Sequence, residues 1–434
     1  MTVHRPWTGS LLALTHPPAR CYTPAINTHA GRCPISETAE RPSTADRILS
    51  PSFVLIVLGA FCFFISMWLI VPFLSSYVLA VGGNAAEAGM VIAVFSLTAL
   101  LSRPLVGRLV DRFGRKRIAL IGCLIYATAP GLYLLASDVR SLVLVRMYNG
   151  FGIAFHSTAA MAWVADMVPP HRRAQAMGLF SNSSQVAIAI APLLGALIFR
   201  LSGFTLLFGA ASAFAIASVA LIGSAHEAGR AGGASLATGS FRAALGRPDV
   251  MILSFALMTA AATWGILTAF LPIYTVQRQA GQPALFFTLY AIMTVALRLI
   301  SGPLADRLGR KVTLVPAMFL LSLVMVLFSA LSSSLMLYAL AIFYAIGFGT
   351  IYPTLSAFLV DVVPAHSRGS ALGVFTAGFD LGIVVGAYGG GLVAERFGLG
   401  ATFVASGLLC LAGALAFLFG TREPSRPGAP APAG

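Results

Sequence analysis

Of the 14 acidic residues in this 434-residue chain, 13 fall in tails, in short polar segments or at the ends of apolar runs; Asp380 alone lies in the middle of one. A charge at bilayer depth costs on the order of 2.5–3.5 kcal/mol to insert, so it calls for a reason. A carboxylate there suits reversible protonation or capture of a cationic solute. The other reading is a structural carboxylate paired with an arginine or a hydroxyl. Arg146, Asn149 and His156 stand in a second apolar run. Asn149 and His156 share one helical face, and Arg146 lies within about 80° of it at about 100° per residue. The spacing predicts a polar stripe turned toward a central cavity. An imidazole can exchange protons near neutral pH, and a structural role for His156 stands beside that. Arg146 relays protons electrostatically or pairs within the bundle. Gln185, Trp264 and Tyr344 complete the candidates. The two aromatics are taken as walls of an apolar cavity with a few polar anchors, which suits amphipathic organic solutes.

Other chemistries find no support. An enzyme needs a nucleophile beside its base, or clustered metal ligands; the interior offers one mid-run His and one mid-run Asp, far apart in sequence. Cys62, Cys123 and Cys410 sit in apolar runs and Cys21 and Cys33 in the N-terminal tail, with no CxxC pair. Neither a disulfide framework nor a metal site is expected, nor any cofactor. The net charge of +14 comes without a dense basic run, so nucleic acid is not an expected partner.

These residues need elements to position them, and composition says which. The chain is 58% hydrophobic and 10% charged, against about 25% charged in soluble domains. Its solvent is lipid, where helices satisfy their own backbone groups. Apolar spans are expected at 53–80, 86–109, 118–137, 140–165, 173–200, 203–224, 249–276, 284–305, 312–331, 335–361, 369–394 and 400–420. The predicted fold is all-α: twelve transmembrane helices in two six-helix bundles, 51–224 and 249–420, joined by a polar linker at 225–248. Residues 1–50 and 421–434 read as disordered tails. A start site placed upstream of the true one would equally explain the composition break near residue 50.

An internal repeat organises the rest. Gly107-Arg-Leu-Val-Asp111-Arg112-Phe-Gly114-Arg115-Lys116 recurs 195 residues later as Gly302-Pro-Leu-Ala-Asp306-Arg307-Leu-Gly309-Arg310-Lys311. The same offset carries Arg103 onto Arg298, Asp166 onto Asp361 and Arg173 onto Arg368. Two parallel repeats imply a pseudo-twofold axis along the membrane normal and a site between the halves at mid-depth. Inside the spans the halves diverge: Arg146 stands opposite Ala341, Asn149 opposite Tyr344, His156 opposite Ile351 and Gln185 opposite Asp380. Shared positions serve the scaffold, and divergent polar ones are free to serve a solute. Arg103 and Arg298, being shared and near the loops, are expected to snorkel or to pair with loop acids.

The motif G-x-L-x-D-R-x-G-R-K between the second and third spans, present twice, resembles the signature loop of the major facilitator superfamily over about residues 50–420. The resemblance implies that these loops lock the halves in the outward-facing state. Asp111 would then meet the start of the eleventh span near Arg368, and Asp306 the start of the fifth near Arg173. Two further stretches are similar to those of drug:proton antiporters: Arg146-x-x-x-Gly150-x-Gly152, and Gly178-x8-Ala187-x3-Ala191-Pro192-x2-Gly195-Ala196, the latter with alanine at three glycine positions. Span eleven carries glycines at 373, 382, 386, 390 and 391 and has Ala387 where span five has Pro192.

Loop charge gives an orientation. The loops after even-numbered spans hold 14 Lys and Arg, the opposite loops four. The positive-inside rule places both termini in the cytoplasm of a cell, or inner, membrane. The expected activity is secondary transport by alternating access, most simply multidrug-type efflux of a drug-like or metabolite solute by an antiporter, with protons as coupling ion and a monomer as the working unit. A proton symporter or facilitator importing a small nutrient is the alternative. A non-transporting sensor on the same fold is a remote third.

Overall fold

In the computed structural model, residues 49–169, 172–227, 241–364 and 367–421 are described, without the side chains of 174, 241 and 298–307. The tails, the middle of the linker, and the side chains of motif residues Asp306 and Arg307, with Gly302 between them and Arg298, therefore lie outside the described residues.

The helices begin where side chains can satisfy their first amides. Helix α1 (Pro51–Ala80) starts at Ser50, whose Oγ accepts from Phe53 N. Helix α2 (Ala85–Phe113) starts with a reciprocal box of Asn84 and Glu87. Helix α4 (Val139–Asp166) starts with one of Asp138 and Ser141. Between α2 and α3 (Arg115–Leu135) the chain turns through Gly114 at φ 92°, and its repeat mate Gly309 turns at φ 106° between α8 (Pro283–Leu308) and α9 (Arg310–Phe328). Only glycine takes that conformation freely, which is the backbone reason for this residue in the repeated motif.

Helix α5 (Arg173–Ser224) has 52 residues, about 78 Å at 1.5 Å per residue, and carries the fifth and sixth spans in one run. Its break falls at Ser202 and Gly203, between the two expected spans. A short α6 (Phe241–Leu245) precedes α7 (Pro248–Arg278). Helix α10 (Ser334–Val362) follows α9. The eleventh span is α11 (Arg368–Val384), a π turn over Val385–Gly389, and α12 (Gly390–Phe397); α13 (Leu399–Gly420) ends the fold. The π turn contains Ala387, so the register position that holds Pro192 in span five lies in a turn with an extra backbone residue in span eleven. Among the described residues nine helices are long and apolar enough to cross a bilayer, α5 counting once. Helix α4, with Arg146, Asn149 and His156 in its middle, falls short of that apolarity.

Glycines let α11 lie against α7. A Cβ on Gly378, Gly382 or Gly386 would fall 2.9, 2.2 or 2.0 Å from the carbonyl oxygens of Ser254, Met258 and Ala262, and one on Gly390 would meet the Ile266 side chain at 3.0 Å. Between the halves, α2 meets the eleventh span and α5 meets α8. These contacts gather toward the end of the bundle opposite the motif loops. Gly89 near the start of α2 abuts Ala387, Gly391 abuts Ala86, and Thr288 near the start of α8 donates to Ala189 O at 2.7 Å. The apolar core follows the same pattern. One cluster unites Leu69, Leu74 and Val91 with Leu267, Phe270 and Phe287 across the halves. The motif end of the first half keeps a core of its own around Ile56, Phe63, Val106 and Trp163. Among the described residues the halves are thus joined toward the far end, and the motif end is the open one.

Candidate functional site

Helix α11 sets Asp380 on the seam with α2, and there its Oδ2 accepts from Arg103 Nε at 2.9 Å. The aspartate side chain is 9% exposed and the arginine's 36%, so the guanidinium reaches a buried carboxylate from the open side. Arg103 was expected to snorkel or to pair with loop acids, and the structure corrects this. It stands ten residues, about 15 Å, from the motif end of α2, and Asp380 twelve residues, about 18 Å, from the start of α11. The two meet because they lie at nearly the same depth.

An aromatic wall adjoins the pair. Phe379 lies 5.6 Å from Tyr352 and 6.5 Å from Phe348, ring centre to ring centre. Phe348 stacks on Trp264 at 5.6 Å. Trp264 also meets Tyr290 at 4.9 Å, Phe287 at 5.9 Å and, from the other half, Trp68 at 5.7 Å. Trp264 is thus the centre of the wall. Tyr344 is fully buried behind it, its hydroxyl 2.9 Å from that of Thr263.

The three polar residues of α4, expected to line a central cavity, are packed into the interior of their own half. Arg146 is buried, with Nε directed at Val91 O on α2 at 3.3 Å and its guanidinium 4.3 Å from the centre of the Phe95 ring. Asn149 Oδ1 accepts from the Tyr133 hydroxyl of α3 at 2.6 Å, and Tyr77 donates to Tyr133 O at 2.8 Å. His156 is fully buried, stacked on Phe63 at 3.9 Å, with Nδ1 3.3 Å from Cys123 Sγ. Cys123 Sγ in turn lies 3.3 Å from the Ser218 hydroxyl in the second arm of α5. Glycines explain the orientation: a Cβ on Gly122 would lie 2.5 Å from His156 N, so α3 and α4 touch backbone to backbone and enclose this face.

Gln185, the repeat mate of Asp380, lies on the other seam. With Ala189, Leu193, Thr288 and Ile292 it lines a groove of about 730 Å³ between α5 and α8. Its Oε1 is buried with no hydrogen-bond partner among the described residues.

At the motif end Arg115 pairs with Asp166 at 2.9 Å and Arg310 with Asp361 at 2.8 Å, one pair per half at matching repeat positions. Glu227, just past α5, accepts from Arg115 N at 2.8 Å and so holds the start of α3. Asp111 and Arg368 are exposed, and Arg173 Nε is buried without a hydrogen-bond partner among the described residues. No trio of His, Cys, Asp or Glu comes together among the described residues in a way that would hold a metal ion.

Two helical bundles in one lipid-facing chain, joined at one end and parted at the other around a mid-depth ion pair, have the build of a membrane carrier. The family model of the Major Facilitator Superfamily matches residues 56–286 and 253–434, and the chain belongs to that superfamily. It is a multi-pass membrane transporter of this kind. The staphylopine export protein of Staphylococcus aureus is 23% identical over 343 residues, 76% of this chain and 86% of that protein. The multi-drug resistance efflux pump PmrA of Streptococcus pneumoniae is 26% identical over 366 residues, 80% and 90% of the two chains. Among solved structures, the nucleoside transporter NupG superposes with a TM-score of 0.72 at 16% identity, over 86% of this chain and all of that one.

Proposed function

We propose that this transporter exports an amphipathic organic solute in exchange for protons, with Asp380 as the site of proton exchange. The carrying observation is the placement of Asp380: a carboxylate at mid-span, on the seam between the halves, next to an aromatic wall and with the Arg103 guanidinium as its ionic partner. The export direction draws on relatives named for staphylopine export and multidrug efflux. The excess of Lys and Arg on the motif side orients those loops to the cytoplasm, so the open end here faces the compartment from which an exporter loads. The halves rock about the mid-depth site, and the motif loops close the cytoplasmic side in the opposite state.

The test is direct. A growth-inhibition panel of dyes, antibiotics and metallophores on an expressing strain selects the solute. Uptake of that solute into everted vesicles is then measured with and without a pH gradient. Gradient-driven uptake is expected in the parent and not in Asp380→Asn. Equal gradient dependence in the two chains sinks the proposal.

A further inference from the structure

We infer that Arg103 is the positioning residue through which Asp380 controls the arrangement of the halves: their ion pair braces the motif-end-open state, and protonation of Asp380 removes the brace. This rests on the reading of Asp380 as the proton site.

A proton shifts a balance between two conformations only if it binds them unequally. Something must therefore make Asp380 different in the two states. The rest of the α2–α11 seam does not serve. Gly89 against Ala387 and Gly391 against Ala86 are backbone contacts without charge, indifferent to a proton. The groups that meet Asp380 and its neighbours on α11 narrow the choice. Helix α7 brings Ser254 and Met258 to the glycines on either side, α10 brings Tyr352 to Phe379, and α2 brings Arg103 to Asp380 itself. Among the described residues Arg103 alone in that set is charged.

Its geometry fits the task. The bond joins one half to the other, at the inner edge of a seam that is otherwise closed toward the far end, so rocking the halves changes its length directly. A carboxylate that holds the guanidinium braces α2 against α11; a protonated one is a neutral partner and loses most of that attraction. Removing one partner of a buried pair also leaves the other charge unmatched. Here that charge is Arg103, whose partial exposure gives it water to turn to. The brace therefore releases without stranding a buried ion. The repeat sharpens the assignment, because Gln185 stands where the other seam would need its acid, and an amide cannot be switched by a proton.

The test needs no solute. Spin labels are placed on Arg117→Cys and Val312→Cys, exposed repeat mates at the motif ends of α3 and α9. Cys21, Cys33 and Cys62 are replaced by serine, and the buried Cys123 and Cys410 stay. Label distances are read by double electron–electron resonance on the full chain in lipid nanodiscs. Asp380→Asn and Arg103→Gln are each expected to reduce the motif-end-open population at least threefold. The double variant should do no more than either single one, and Arg103→Lys should keep most of the open population. An unchanged distance distribution in either single variant overturns the inference, as does a double variant whose effect is the product of the two. Loss of gradient-driven uptake in Asp380→Asn with an unchanged distribution leaves the proton site standing and removes Arg103 from it.

Discussion

The two seams between the halves occupy equivalent places in the repeat and are built differently. Where α2 meets the eleventh span, backbones touch through Gly89 and Gly391, and among the described residues a single ion pair crosses at mid-depth. Where α5 meets α8, the contact among the described residues is one neutral hydrogen bond from Thr288 and a groove of apolar side chains around Gln185. The motif arginines hold to the symmetry, pairing with Asp166 and Asp361 alike. A scaffold that must open and close as a unit keeps both halves the same. The proposed coupling to a proton needs a difference, and Gln185 against Asp380 is one.

That contrast can be broken in several places. The largest effect is expected from Asp380→Asn, with gradient-driven uptake falling at least about tenfold, or roughly 1.4 kcal/mol in coupling, in the everted-vesicle assay. Gly89→Val comes next. Its Cβ would lie 2.2 Å from Ala387 O, so α2 and α11 must part, at about 1–3 kcal/mol for an overpacked contact. The same label pair on α3 and α9 should then report a smaller motif-end-open population, whereas Gly209→Ala, with nothing within 4 Å, should leave it unchanged. Gln185→Leu is expected to keep gradient dependence within about twofold, a change of under about 0.5 kcal/mol. A loss as deep as that of Asp380→Asn would show that the two seams are functionally alike. Thr288→Val removes a hydrogen bond that crosses α5–α8, worth about 1 kcal/mol, and should lower the melting temperature in detergent by a few degrees at most.

The smallest effect lies outside the membrane. Hydrogen bonds from the Ser141 side chain, then its backbone amide, hold the Asp138 carboxyl below its ordinary range. A carboxyl depressed in the folded chain stabilises α4 above the unfolded value of about 3.9, and that contribution is lost as pH falls through the lower folded value. Hydrogen exchange of the first turn of α4 should therefore quicken, relative to the intrinsic rate, only below about pH 4. Asp138→Asn should keep the cap and lose that pH dependence; Asp138→Ala should fray the turn at every pH.

The sequence carried the fold through its repeat. An offset of 195 located both motif loops, and Gly114 and Gly309 follow from a turn only glycine makes freely. It also singled out Asp380, because a charge in lipid stands out against its neighbours. What it did not carry is which neighbour covers a helical face. Asn149 and His156 share a face by periodicity, but lipid, cavity and bundle interior are all possible on the far side of it. The glycines at 122 and 152 are the signal that points inward, since they bring α3 close enough to enclose the stripe. Arg103 was misplaced for another reason: sequence position gave its distance from a loop, and not the acid at its own depth on another helix. Trp68, from the opposite half, had nothing in the repeat to tie it to Trp264.

The π turn has a geometrical consequence for the eleventh span. Glycines four apart on an ideal helix do not form a straight row, because four residues turn through about 400° and each overshoots the last by about 40°. Over the three steps from Gly378 to Gly390 the row would wind about 120° away from α7. A turn closed by i→i+5 bonds holds one more residue than its neighbours, and placed over Val385–Gly389 it takes back part of that drift before Gly390. It acts as a vernier, so that Gly390 meets Ile266 as the earlier glycines meet Ser254, Met258 and Ala262. Four glycines thereby form one track along α7. An alanine inserted within Val385–Gly389, or one residue deleted there, would turn the end of the span against α2 while leaving Asp380 where it is.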